Sequence, residues 1–218
     1  MKYFVWGLVF FIVGASNAMA EIQLEQTVFF DVAEYRQQVE NVMWGGWLDS
    51  LTYDQQRDVV VVCCAEKLSN DNIAEYYLIK NVATGDIGSV VGDYTHLSGE
   101  SADLSPADES LSAEAIAYHE KRFPSRPGTL GGTIHYVLSS SALSPQGEYI
   151  AYIFIGEDGH YAGAANILMQ SVETGDIVIV DIAHKSTFLP QLLWIRDDVL
   201  IYVHEGNGEV LQVKIVAE

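Results

Sequence analysis

The sequence predicts a mainly β protein of about three four-stranded antiparallel sheets with one or two short helical insertions, and a β-sandwich as the alternative packing. Three observations predict it. Runs rich in Val, Ile, Tyr and Phe, such as Val59 to Ala65 and Tyr149 to Ile155, are bounded by turn residues. Residues 54–87 align without a gap on residues 144–177, at a constant offset of 90 positions. A third series of such runs, from Leu192 to Val216, follows the second copy.

Residues 1–20 read as a cleavable secretory signal peptide. Lys2 supplies a positive start, Tyr3 to Val13 an apolar stretch, and Ala18-Met19-Ala20 the small-x-small pattern of a cleavage site, so cleavage is expected after Ala20. The apolar stretch is shorter than the roughly 20 residues that span a bilayer, and no later stretch is apolar enough. No Cys follows the cleavage position to accept a lipid. The expected product is soluble, secreted or periplasmic, and free of stable membrane insertion. Residues 21–218 then form one β-rich domain, a size that all-β units routinely reach. The net charge of −19 repels phosphates and anionic lipid, which argues against nucleic acid as a partner.

The first strand is expected near Ile22 to Phe30. Val32, Tyr35, Val39 and Val42 then fall near a helical spacing, giving Asp31 to Met43 helical character. The first copy follows as a strand near Trp47 to Thr52, a polar turn at Asp54 to Arg57, a strand at Val59 to Ala65 and a hairpin loop. It continues with a strand at Ala74 to Val82, a Thr84-Gly85-Asp86 turn and a short strand at Ile87 to Val91. The second copy repeats the plan: Ile134 to Ala142, a turn at Ser144 to Gly147, Tyr149 to Ile155, Ala164 to Val172, and Ile177 to Ile182. Identities in the alignment include Ala74 with Ala164, Leu78 with Leu168, and Thr84-Gly85-Asp86-Ile87 with Thr174-Gly175-Asp176-Ile177. The third, incomplete unit comprises Leu192 to Ile195, Val199 to His204 and Val210 to Val216, and the N-terminal strand would complete it.

Between the copies lies an insertion, residues 92–132. Ser105 can cap a helix, Pro106 suits its first turn, Asp108 and Glu109 complement its dipole, and Pro124 stops it, so Ser105 to Phe123 is expected to be helical. Pro124, Pro127, Gly128 and Gly131-Gly132 then read as a loop.

The second copy resembles the TolB-type β-propeller repeat, a relative of the Trp-Asp propeller families. Ser144-Pro145-Gln146-Gly147-Glu148-Tyr149-Ile150-Ala151-Tyr152 looks like the repeat's Ser-Pro-Asp-Gly-x-x-Ile-Ala-Tyr signature, with Gln146 in place of the usual Asp. Val172-Glu173-Thr174-Gly175 is similar to its later turn, and Trp194, Asp197-Asp198 and Leu200-Ile201-Tyr202 to the opening of a next unit. The match is best in residues 142–205 and weaker in the first copy, where Asp54 to Arg57 lacks the Pro and Gly. The resemblance implies a propeller-like array of sheets, although closed propellers have four to eight blades and only three sheets are expected here.

No catalytic set stands out. No Gly-x-Ser-x-Gly elbow occurs beyond the signal region, and Ser139-Ser140-Ser141 reads as a strand edge or turn. His96, His119, His135, His160, His184 and His204 are dispersed, and neither His119-Glu120 nor His204-Glu205 makes the His-Glu-x-x-His spacing that brings two imidazoles to one zinc. Asn70-Asp71-Asn72 and Glu157-Asp158-Gly159 have oxygen ligands but no alternation of them, and read as hairpin loops rather than calcium sites. Gly128 to Gly132 lacks the Lys-Ser/Thr ending of a phosphate loop. Trp44, Trp47, Tyr152, Trp194 and Tyr202 are read as core or cross-strand packing before sugar stacking.

Cys63 and Cys64 end an apolar strand, where successive side chains point to opposite faces and a disulfide between neighbours requires distortion. They are expected to be packed thiols that resist labelling in the native state. No catalytic, cofactor-binding or metal-ligating residue is assigned and no cofactor is expected. The expected function is that of an exported, non-catalytic binding or interaction protein whose partner is a protein or a cell-envelope component. The alternatives are a secreted or periplasmic hydrolase with site residues on loops and on the insertion, and a metal-stabilised module.

Overall fold

The computed structural model describes residues 22–31, 50–69, 72–91, 108–127, 132–157, 162–183, 192–204 and 209–216. The chain is mainly β, as the sequence predicts, with strands gathered into three antiparallel sheets. The first sheet is a meander, β2 (Ser50–Asp54), β3 (Val59–Ser69), β4 (Asn72–Asn81) and β5 (Ile87–Val91), in sequence order. Helix α1 (Asp108–Arg122) follows. The second sheet holds β6 (Arg126–Pro127), β7 (Thr133–Leu143), β8 (Tyr149–Glu157), β9 (Ala162–Ser171) and β10 (Ile177–Ala183), each beside the next. The third is β11 (Leu192–Arg196), β12 (Val199–His204) and β13 (Glu209–Val216), completed by β1 (Gln23–Asp31), which lies antiparallel to β13.

The N-terminal strand therefore completes the last sheet, as expected. The second sheet departs from four strands, because Arg126 and Pro127 pair with Ile134 and Thr133 instead of forming a loop. Pro127 is tolerated there because β6 is an edge strand, where a missing N–H breaks no ladder. The helix starts within the predicted segment. Its expected capping residues Ser105 and Pro106, and the helical stretch expected after Asp31, lie outside the described residues.

The first two sheets share one register. Val59 faces Asn81, Val62 faces Leu78 and Lys80 faces Ile87. In the second sheet Tyr149 faces Ser171, Tyr152 faces Leu168 and Gln170 faces Ile177, each pair 90 positions on. The turns agree in detail. Thr84 Oγ1 donates to Asp86 Oδ2 at 2.7 Å and Thr174 Oγ1 to Asp176 Oδ2 at 2.7 Å. Gly85 and Gly175 both sit at φ 76°, a left-handed conformation that costs other residues strain. The hairpin turns before β3 and β8 differ, as their sequences do: Gly147 takes the positive φ in one, and Asp58 takes it one position later in the other.

The third sheet is the middle layer. Alternation along β12 sends Val199 and Ile201 into a core with Leu51, Val60, Val62 and Leu78 of the first sheet. Leu200 and Tyr202 point the other way, onto Ala151, Ile167 and Met169 of the second. The far face of the second sheet carries Ile150, Tyr152, Phe154 and Leu168, and α1 covers it with Leu111, Ala115, Ile116 and Tyr118. Innermost strand β11 approaches both β2 and β7, so the first strands of the three units converge. Outer strands β1 and β10 each carry a register shift, at Val28/Phe30 and Ile179/Asp181, which blunts their free edges against further pairing.

Cys63 lies opposite Ser50 on β2, and the β3–β4 register shifts between Val62 and Ala65, so both cysteines occupy an irregularity instead of a regular strand end. Their side chains lie outside the described residues.

Candidate functional site

Antiparallel meanders put alternate connections at the same end of a sheet, so the turns after β2, β4, β7, β9 and β11 belong to one end of their sheets. Hydrogen bonds tie two of these turns together across sheets, those after β7 and β11. Ser144 Oγ donates to Asp197 Oδ1 at 2.9 Å, and the Gln146 amide donates to the same oxygen at 2.6 Å. Ser144 Oγ also accepts from the amides of Glu148 (3.1 Å) and Tyr149 (3.2 Å), closing its own turn. In the first sheet Asp54, at the aligned position, accepts from the amides of Gln56 (3.0 Å) and Arg57 (3.2 Å). Tyr53 donates to Asp58 Oδ1 at 2.7 Å. Burial, then the Asp58 carboxylate, raises the Tyr53 pKa, while the positive charge of Arg196 opposes that rise. Asp86, Glu148 and Glu173 are exposed at this end.

Asp197 thus holds two sheets in register through one oxygen. Asp197→Ala is expected to destabilise the protein by about 2 kcal/mol, because a charged acceptor serving two donors is lost, and urea denaturation checks it. Asp197→Asn keeps an acceptor and should recover part of the loss.

A second group of polar side chains lies between α1 and the second sheet. Asn166 and Gln170, four apart on β9, are completely buried on the face under the helix. Tyr152 donates to Gln170 Oε1 at 3.0 Å, and Gln170 Nε2 donates to Glu114 Oε2 of α1 at 3.1 Å. Asn166 Nδ2 lies 2.9 Å from His119 Nε2, while Asn166 Oδ1 has no hydrogen-bond partner among the described residues. The His119 ring stacks on Phe154 at 4.1 Å and lies 4.8 Å from Phe123 and 5.0 Å from Tyr136. Burial pushes its pKa down to about 4, so the ring is neutral at pH 7 and Nε2 accepts from the Asn166 amide. A third cluster joins sheets: Tyr202 donates to Asp181 Oδ2 at 2.9 Å and accepts from Gln26 Nε2 of β1. Burial, then Asp181, raises the Tyr202 pKa far above the ordinary phenol value.

Ser125 Oγ lies 3.0 Å from His135 Nδ1, and both residues are exposed. The β7–β8 register sets Glu157 opposite His135. Of the other sequence candidates, Ser139 and Ser140 are exposed at the β7 register shift between Leu138 and Ser140. His204 ends β12, and His96, His160 and His184 lie outside the described residues, as do Asn70-Asp71 and Asp158-Gly159. Among the described residues no group of three His, Cys, Asp or Glu is placed to hold a metal ion. Tyr152 and Tyr202 are fully buried, and Trp194 stacks near Tyr149 at 6.5 Å, so these aromatics serve packing.

Asn166 and Gln170 escaped the sequence reading. Their signal was present as two amides at i and i+4, hence on one face, of a strand otherwise rich in Ala, Ile, Leu and Met. No protein-family model, curated protein or solved structure matches the chain.

Proposed function

We propose that the chain is an exported, non-catalytic binding protein built on a duplicated propeller-like unit, and that its tied turn end presents the binding surface to a protein or another envelope component. The observation that carries this reading is that hairpin turns of the second and third sheets are bonded to each other across the sheet boundary through Asp197, while β2 of the first sheet approaches β11. Loops held by a rigid sheet scaffold present a preformed surface, so association costs little ordering entropy. The shared registers of the first two sheets support the duplication.

The second reading, a hydrolase, has one observation in its favour: Ser125 from the insertion meets His135, with Glu157 in the neighbouring register position. A nucleophilic serine needs a positioned base, and a carboxylate commonly orients that base. Both Ser125 and His135 are open to water, which weakens any such activation.

One pair of measurements separates the readings. The tagged mature protein, co-purified from its native envelope, is expected to bring down a partner that Asp197→Ala releases. The same protein treated with a fluorophosphonate probe is expected to stay unlabelled at Ser125. Labelling of Ser125 that His135→Ala abolishes, with no partner recovered, replaces binding by hydrolysis.

A further inference from the structure

We propose that α1 is an acid-released latch on the outer face of the second sheet, opened by protonation of His119. The geometry of the seam carries the argument. Among the described apolar side chains of α1, Ala115 is completely buried, while Leu111, Ile116 and Tyr118 are only partly covered. Side-chain bonds from Glu114 to Gln170 and from His119 to Asn166 help to fasten it. The first is at an exposed residue of the helix and the second is fully buried. With the amide oriented as it is, the second bond suits the neutral ring, because a neutral Nε2 accepts the Asn166 N–H and a protonated Nε2 presents a proton to that same N–H.

Among the described residues that touch the ring, none is a carboxylate that would compensate a charge. His119 meets Phe154 of β8, Tyr136 of β7, Asn166 of β9 and Phe123 just past its own helix, and Tyr136 is the one titratable group among these contacts. Glu114 reaches the same seam through Gln170, while Glu120, Lys121 and Arg122 lie exposed on the helix. A half-turn of the Asn166 amide would let Oδ1 accept from a protonated Nε2, so what disfavours the charged ring in the docked state is its burial among Phe154, Phe123 and Tyr136 together with an Nδ2 then left without its acceptor. Release is local because the second sheet keeps its opposite face packed on the third through Ala151, Ile167 and Met169. What release uncovers is a face of mixed chemistry, with the Tyr152 hydroxyl, the Asn166 and Gln170 amides and the Phe154 ring.

The sign follows from burial. His119 resists protonation in the docked state and accepts it freely once released, so docking is full above about pH 6.5 and weakens as pH falls toward about 4, where the docked form also protonates. That interval shifts the latch equilibrium by up to about 300-fold, ten-fold per unit.

Hydrogen exchange on the mature chain tests this, at pH 7, 5.5 and 4 and corrected for intrinsic exchange. The α1 amides are expected to lose protection steeply across this range while β12 amides hold theirs. His119→Phe keeps the ring stacking and is expected to remove the pH dependence. Should that variant fold poorly, the double variant His119→Phe with Asn166→Leu removes the orphaned amide and serves the same purpose. Glu114→Gln is expected to retain the dependence. Protection of α1 that tracks β12 at every pH overturns the latch, as does a pH dependence that survives loss of His119 or vanishes in Glu114→Gln.

Discussion

Phe30→Ala is expected to cost about 3–5 kcal/mol, a large part of the 5–15 kcal/mol that stabilises an ordinary domain. Phe30 is 1% exposed and lies in the core between the first and third sheets, beside Val60, Leu78, Ile201 and Val210. It follows a register shift on β1, at which Phe29 is the additional residue and Lys80 of the first sheet donates to the Phe29 carbonyl. Truncating Phe30 leaves a cavity that the two sheets cannot close, because Lys80 and the β13 ladder hold the strand in place. Urea denaturation at constant m should show a lower midpoint. The effect should exceed that of Val28→Ala, since Val28 sits on the same strand at 55% exposure. Equal losses at the two positions would mean that β1 does not pack as described.

Trp194→Ala should cost a similar 3–5 kcal/mol for a different reason. Trp194 opens the third unit on β11 and packs into the core shared with the second sheet. Its indole Nε1 donates to the Ala142 carbonyl at 2.9 Å, and its ring stacks near Tyr149. Removal deletes a large apolar surface and leaves the Ala142 carbonyl short of a donor. Trp194→Phe separates the two contributions. It restores most of the surface but not the N–H, so the remaining deficit, on the order of 1 kcal/mol, belongs to the hydrogen bond. Near-ultraviolet circular dichroism and denaturation measured together distinguish lost packing from lost fold.

Much of the architecture was legible because strand signals are local. The β-branched run beginning at Val59 and the Tyr149 to Ile155 run are bounded by turn residues, and the observed β3 and β8 start where those runs start. The Thr-Gly-Asp turns were legible for the same reason, since Gly85 and Gly175 need a conformation that glycine alone adopts freely. What escaped depends on distant partners. The run Val199 to Val203 is apolar on both faces, which marks a strand covered on both sides, but Tyr149 to Ile155 carries the same mark, so which sheet lies in the middle is decided by distant partners. Register shifts such as the one beside Cys63 depend on how two strands pair, which no single run of sequence states. The buried seam of Asn166 and Gln170 is legible as polarity in a strand, but its meaning comes from α1, which docks from the insertion. Ser125 and His135 belong to the same class, ten residues apart and joined only once β6 folds back onto β7.

The pairing of β1 with β13 sets the pace of folding as well as its end point. Gln23 faces Val216 and Asp31 faces Glu209, so this ladder joins segments separated by nearly the whole chain. Closing so long a loop is entropically costly, and ladders of high contact order form late. Each of the first two sheets is a local meander able to assemble from neighbouring segments, whereas the third stays incomplete until β1 and β13 are both available. Until β1 docks, the Glu209–Val216 edge stands open to other strands.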